Sequence, residues 1–236
     1  MTAREVDGKD AARERERRDP AATRHALLRA AEELFSARGF DGVPIEDIAD
    51  RAGVNKALIS YHFRGKRGLY AAILESTFAE MAARVEAIEA GAKDAAEALH
   101  GVVEAFAGVA RERPGFPTLF VREILATGLD ATVLPYLLRI VGFSRRLAER
   151  GAREGLFRRV DPLLLHFALV GSLVFFFSTE RARQRAVADG LVPFAMPGPR
   201  AFVRFVEQTT LRGLAPSRRP RGSRRPPSTR RKGARA

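Results

Sequence analysis

Between Ile45 and Arg64 the chain reads IEDIADRAGVNKALISYHFR, and three residues within it leave little choice of fold. Ala49 is small, Gly53 follows four residues later, and Ile59 lies six further on. A small side chain lets a second helix cross the first closely, a glycine makes the tight turn, and an apolar residue docks the second helix. Ile48, Val54 and Leu58 complete a small core. Two short helices bury one stripe each, so a third must cover them. Leu27, Ala31, Leu34 and Phe35 recur at helical spacing just upstream, from Thr23 to Arg38. The layout is a helix-turn-helix over about 45–64. The same spacing also suits a helical hairpin with a glycine turn that binds nothing.

The rest of the chain reads as further helices. Gly39 can take the left-handed stop conformation, and Phe40 can fold back on the last turn. Pro44 suits a first helical position, and Asn55 suits the cap of a short helix from Lys56 to Phe63. A long helix from Lys66 to about Ala90 carries Leu69, Ile73, Met81, Val85 and Ile88. Further helices are predicted at 94–112, closed by Pro114, then at 117–128 and 131–154. Asp161–Pro162 opens one predicted to reach Ala188, GLVPFAMPGP is a loop, and 200–213 forms the last. Strand alternation and internal repeats are missing from the pattern. The fold class is all-α, with an N-terminal three-helix unit and a C-terminal helical bundle.

Charge sits mainly at one end. The formal net charge is +13, but residues 216–236 hold nine Lys/Arg and no Asp/Glu. That tail has no apolar anchor, so it is expected to be disordered, and the overall basicity belongs mostly to it. Residues 1–20 hold six charges of each sign and read as a second disordered arm. They contain no apolar run, so no secretory signal is expected. The longest apolar stretch, Leu163 to Phe177, spans 15 residues where a membrane helix needs about 20, so a buried helix is expected and no membrane partner. The reading is of a cytoplasmic, nucleoid-associated protein.

Several chemistries fall away. The chain has no cysteine, which excludes disulfides, thiolate metal sites and thiol catalysis. Its histidines, at 25, 62, 100 and 166, have no ligand-like spacing, so no metal is expected. Phosphate-binding glycine loops, nucleophile elbows and metalloprotease pairs are lacking. Neither catalytic residues nor a cofactor are expected, and the protein reads as no enzyme.

From Arg51 to Leu74 there are five basic residues, Arg51, Lys56, Arg64, Lys66 and Arg67, and no acidic one. Ser60, Tyr61 and His62 lie among them on the second short helix. Basic groups interleaved with hydrogen-bonding side chains suit phosphates and major-groove base edges. The stretch from TRHALLRAAEELFSARGF through IEDIADRAGV and SYHF to GKRGLY resembles, in order and spacing, the N-terminal domain of TetR-family bacterial transcriptional regulators. The resemblance covers about residues 21–81. It implies that Lys56, Ala57, Ser60, Tyr61 and His62 face double-stranded operator DNA, and that Lys66 contacts phosphate. Two positions depart from the pattern. Many members have tyrosine at Ser60, and many have serine or threonine at Pro44, so base preference is expected to differ.

The resemblance also assigns the remainder. An arm spans 1–20, the DNA-binding domain 21–81, an effector-binding and dimerisation domain 82–215, and the basic tail 216–236. Twelve of the sixteen phenylalanines fall at or after Phe106, so the bundle is the more aromatic part. Phe106, Phe116, Phe120, Phe143, Phe167 and Phe175 to Phe177 read as core, or as walls for a small apolar or aromatic effector. Tyr136, Arg122, Glu123 and His166 are candidates to orient it. Phe202, Phe205 and Val206 read as an exposed stripe on the last helix, which in the family pairs across a homodimer axis. The expected function is a ligand-responsive regulator, a repressor on a palindromic operator. A low-specificity DNA-packaging protein and a small-molecule carrier with a vestigial DNA-binding domain are the competing readings.

Overall fold

Asp19 starts the first helix. Its carboxylate accepts from the amides of Ala21 and Ala22 at 2.9 and 3.1 Å, and Pro20 occupies the first turn, where its missing N–H does no harm. The helix therefore begins three residues before Thr23, and Asp19 and Pro20 belong to it instead of to an arm. The computed structural model describes residues 19–127 and 131–216. Apart from Asp19, Pro20 and Pro216, the two predicted arms lie outside the described residues.

In chain order the helices are α1 (Pro20–Arg38), α2 (Ile45–Ala52), α3 (Ala57–Phe63), α4 (Lys66–Gly91), α5 (Ala95–Glu112), α6 (Phe116–Thr127) and α7 (Leu134–Arg153). Then α8 (Pro162–His166) runs through one π-helical turn (Phe167–Gly171) into α9 (Ser172–Ser178), followed by α10 (Glu180–Ala188) and α11 (Pro199–Leu214). No strand occurs among the described residues, and the class is all-α. Leu27, Phe35, Ile48, Ile59 and Leu69 are fully buried where α1 to α4 meet. α4 then carries the same core into the bundle through Ile73, Phe78, Met81 and Val85.

The segment 162–188 is not the single helix its composition predicts. Asp161 does cap it, accepting from Leu163 and Leu164 at 2.8 and 3.1 Å. After Ser178 the axis bends by 46°. Thr179 Oγ1 donates to the Phe175 carbonyl at 2.8 Å, beside the Thr179 N–H at 3.2 Å, and the Arg183 guanidinium donates to the Phe176 carbonyl, so side chains share the carbonyls at the bend. Beyond the bend α10 has no buried residue. Among the described residues no single helix is long and apolar enough to cross a membrane.

The predicted stripe on α11 splits. Val206 is buried, Phe202 stacks on Phe176 with ring centroids 3.9 Å apart, and Phe205 alone of the three is exposed. Pro44 also sits one place earlier than its pattern implied, as the cap residue of α2.

Candidate nucleic-acid interface and cavity

The turn between α2 and α3 follows from Gly53. It takes the left-handed conformation, φ 71°, and Val54 N–H closes on the Ala49 carbonyl at 3.0 Å. Asn55 Oδ1 then accepts from the amide of Ala57 at 2.8 Å, starting α3. Ile59 and Phe63 bury one side of α3. The other side is open: Ala57, Ser60 and Tyr61 are exposed, and Tyr61 is 77% accessible despite its ring. His62 is half-buried, edge-on to Tyr61 with ring centroids 4.9 Å apart.

The two lysines are less free than their sequence positions implied. Lys56 Nζ lies 3.2 Å from Glu46 Oε1 on α2, and this pair helps hold the Glu46 carboxyl below its ordinary pKa, after a backbone hydrogen bond. Lys66 Nζ rests 4.5 Å above the Phe40 ring. Contacts between separate elements of the fold set both positions, so spacing along the sequence carries no sign of them. Two further cations flank the face: Arg64, held at φ 59° as it ends α3, and Arg67, both exposed. α4 starts without a side-chain cap and without an acid in its first turn, which carries Lys66 and Arg67 instead. Its free N–H groups and dipole favour an anion there.

Below this unit lies a cavity of about 290 Å³. Phe78 and Met81 of α4 meet Phe106 and Val109 of α5, Phe116, Phe120 and Ile124 of α6, and Leu137 and Ile140 of α7. The π turn and its flanks add His166, Phe167, Val170, Gly171, Leu173 and Phe177. Phe78 meets Phe116 and Phe120 edge to face at 5.3 and 4.9 Å. Every lining residue except His166 is apolar. Phe106, Phe116, Phe120, Phe167 and Phe177 thus line it, whereas Phe143, Phe175 and Phe176 do not.

Of the four polar candidates only His166 faces the cavity. Its Nδ1 is 3.1 Å from Ser144 Oγ, and burial pushes its pKa below the usual value. Arg122 reaches the Phe35 carbonyl at 3.4 Å. Glu123 acts on Tyr70, whose phenol pKa is raised first by burial and then by that carboxylate. Tyr136 lies under Arg139, 6.0 Å from ring to guanidinium. The π turn in the cavity wall had no sequence signal, because nothing in FALVG tells a π turn from a continuing α-helix.

Residues 27–73 match the family described as bacterial regulatory proteins, tetR family. Over 208 residues the chain is 30% identical to the transcriptional repressor NicS of Pseudomonas putida, covering 81% of this chain and 92% of that protein. It is 27% identical over 195 residues to the transcriptional regulator RutR of Escherichia coli, covering 73% and 92%. Among solved structures, the TetR-family regulator PfmR of Thermus thermophilus superposes with a TM-score of 0.65 at 24% identity, over 80% of this chain and 99% of that one.

Proposed function

The chain belongs to the TetR family and is a DNA-binding regulator of transcription, and on that premise we propose that it is an effector-released repressor acting as a homodimer on a palindromic operator. The observation that carries this reading is the reach of α4. Its first turn packs beneath α3, and Phe78 and Met81 further along line the cavity. From Lys66 to Phe78 is about 18 Å at 1.5 Å per residue. A ligand that shifts the middle of α4 therefore moves the helix that meets DNA.

In this reading Ala57, Ser60, Tyr61 and His62 meet base edges. Lys56 and Lys66 leave Glu46 and Phe40 to reach the duplex. A small apolar or aromatic effector occupies the cavity. The dimer forms on an exposed apolar strip of Leu164, Phe167 and Phe175 together with Phe205 of α11, at 67%, 68%, 68% and 65% accessibility. Large exposed apolar residues gathered on two neighbouring helices suit a second copy of the chain.

Selection of sites from random DNA, followed by footprinting, tests the reading. The full chain is expected to protect one palindrome, and a variant lacking 216–236 to select the same sequence. Removing the tail should flatten the salt dependence of affinity by about 0.9 log units for each phosphate that the tail neutralises. Uniform coverage of all DNA would favour a packaging protein. Affinity that disappears with the tail would favour a carrier with an inert helix-turn-helix.

A further inference from the structure

We infer that the cavity takes an uncharged ligand of about ten non-hydrogen atoms, apolar along most of its length, with one hydroxyl or carbonyl that hydrogen-bonds His166 Nε2. The inference rests on the reading of this cavity as the effector's site.

Size comes from the volume. At about 30 Å³ for each water-sized group, 290 Å³ holds roughly ten such groups. The mouth is apolar too: Ile124 and Leu125 line the cavity and are exposed. Polarity is confined to one place. Ser144 engages Nδ1, and Nε2 has no protein partner among the described residues. Whichever tautomer the Ser144 hydroxyl selects, Nε2 is left to donate or accept a single hydrogen bond. A hydroxyl satisfies either role.

Charge is excluded by what the walls lack. The lining has no lysine, arginine, aspartate or glutamate. The guanidiniums of Arg122 and Arg183 are engaged by their own chain, with the Phe35 carbonyl and with the Phe176 carbonyl and Thr179 hydroxyl. Burial keeps the imidazole neutral near pH 7, so it supplies no cation to a carboxylate. A carboxylate or ammonium entering here would give up its hydration with no opposite charge in return. The Phe78, Phe116 and Phe120 rings are the one feature that could favour an ammonium, so the test includes one.

Calorimetry of the full chain with four probes decides it: 1-nonanol, nonanoate, nonylammonium and naphthalene, at pH 7.5. Nonanol and naphthalene are expected to bind, nonanoate and nonylammonium at least tenfold more weakly than nonanol. His166→Phe should weaken nonanol fivefold or more and leave naphthalene within twofold. His166→Leu, which also removes both ring nitrogens, should move the two probes in the same way if His166→Phe does not fold. Ala110→Phe, filling the cavity, should abolish binding of both. Equal or tighter binding of either charged probe overturns the inference, as does nonanol binding indifferent to the loss of the His166 imidazole. Binding that survives Ala110→Phe, or failure of all four probes, overturns it equally. Operator titration without any probe reads the regulator function separately: a protein that binds its operator but none of the probes loses this inference and keeps that one.

Discussion

Nε and Nη2 of Arg113 close on a single oxygen of Glu32, at 2.8 and 2.6 Å, with the two side chains only 19% and 10% exposed. Glu32 belongs to α1 and Arg113 to the link between α5 and α6, so this pair ties the DNA-binding unit to the helix that walls the cavity. Beside it a Cβ on Gly115 would stand 2.7 Å from Ser36 Oγ and 3.2 Å from the Glu32 carbonyl oxygen, so a glycine there lets the α5–α6 link approach α1 closely.

Arg113→Met should destabilise the fold by about 2 kcal/mol, below the roughly 3–5 of a fully buried pair, because some solvent reaches these groups. The double variant Glu32→Gln, Arg113→Met removes the stranded carboxylate and should recover most of that stability. Denaturant unfolding measures both. Under the proposed mechanism the double variant still binds operator but responds less to effector. A double variant as unstable as the single one would mean the pair is not what holds α1 to α6.

Gly68 meets a harder limit. A Cβ there would stand 1.8 Å from the Phe63 carbonyl oxygen, a backbone atom that can move only if α3 moves. Gly68→Ala should cost about 1–3 kcal/mol as overpacking. It should also weaken operator binding beyond that cost, because the angle between α3 and α4 changes. Gly91→Ala is the control, since nothing lies within 4 Å of its added Cβ, and it should be neutral or stabilising by about 0.5 kcal/mol. Thermal melts and operator titration separate the two outcomes.

What could be read in advance was local. Ala49, Gly53 and Ile59 specify the helix-turn-helix because a turn and a crossing depend on residues a few positions apart. Asp161–Pro162 announced a helix start for the same reason. Partners between distant elements could not be read this way. Periodicity says that Phe143 and Phe120 face inward, but not that Phe120 lines the apolar cavity and Phe143 does not. Nor does it say that Phe176 is held between Phe202 at 3.9 Å and the Arg183 guanidinium at 3.8 Å, a stack joining α9, α10 and α11. Lys66 was legible as a cation at the start of a helix. Its resting place over Phe40 depends on how α4 packs against the α1–α2 link.

On the DNA face, Lys66→Ala should weaken binding to every duplex alike and lower the salt slope by about 0.9, since a phosphate contact carries no base information. Tyr61→Ala should change base preference by roughly 1–3 kcal/mol at one position. Glu46→Gln should release Lys56 and raise affinity for all sequences. Site selection with each variant checks the pattern. Unchanged binding by Lys66→Ala would remove that residue from the interface.

Acid should weaken the fold in two stages. The half-buried His166 has its pKa pushed below the ordinary 6.5 by desolvation, so under that pH the unfolded chain takes a proton that the folded chain refuses. Stability present above 6.5 then declines progressively as pH falls toward the folded value. Glu112, held low chiefly by its hydrogen bond from Arg84, and Glu86, by that from Arg139, give up their contributions only below 4.5. Denaturation midpoints of His166→Phe should lack the first stage and keep the second. A variant with the same decline between pH 6.5 and 5 as the parent would assign that stage to another group.

The proposed dimer makes the sharpest demand on α11. Phe202 is stacked into the subunit and Val206 is buried, so neither can be charged without unfolding, whereas Phe205 is 65% exposed and can. Phe205→Asp should leave the melting temperature nearly unchanged, because surface substitutions away from special features shift stability by about 0.5 kcal/mol or less. It should yield monomers in sedimentation, since two carboxylates would face each other across the proposed twofold axis without a counter-charge. Two half-sites one helical turn apart need recognition helices about 34–36 Å apart, which a monomer cannot supply. Operator affinity should therefore collapse toward that of a single half-site, while affinity for a single half-site is retained. Linkage adds a second reading of the same variant: an effector that opposes operator binding through the dimer binds the DNA complex about 5- to 150-fold less well than the free dimer, and this difference must vanish in the monomer. Phe205→Asp monomers that keep full palindrome affinity would remove the dimer from the mechanism.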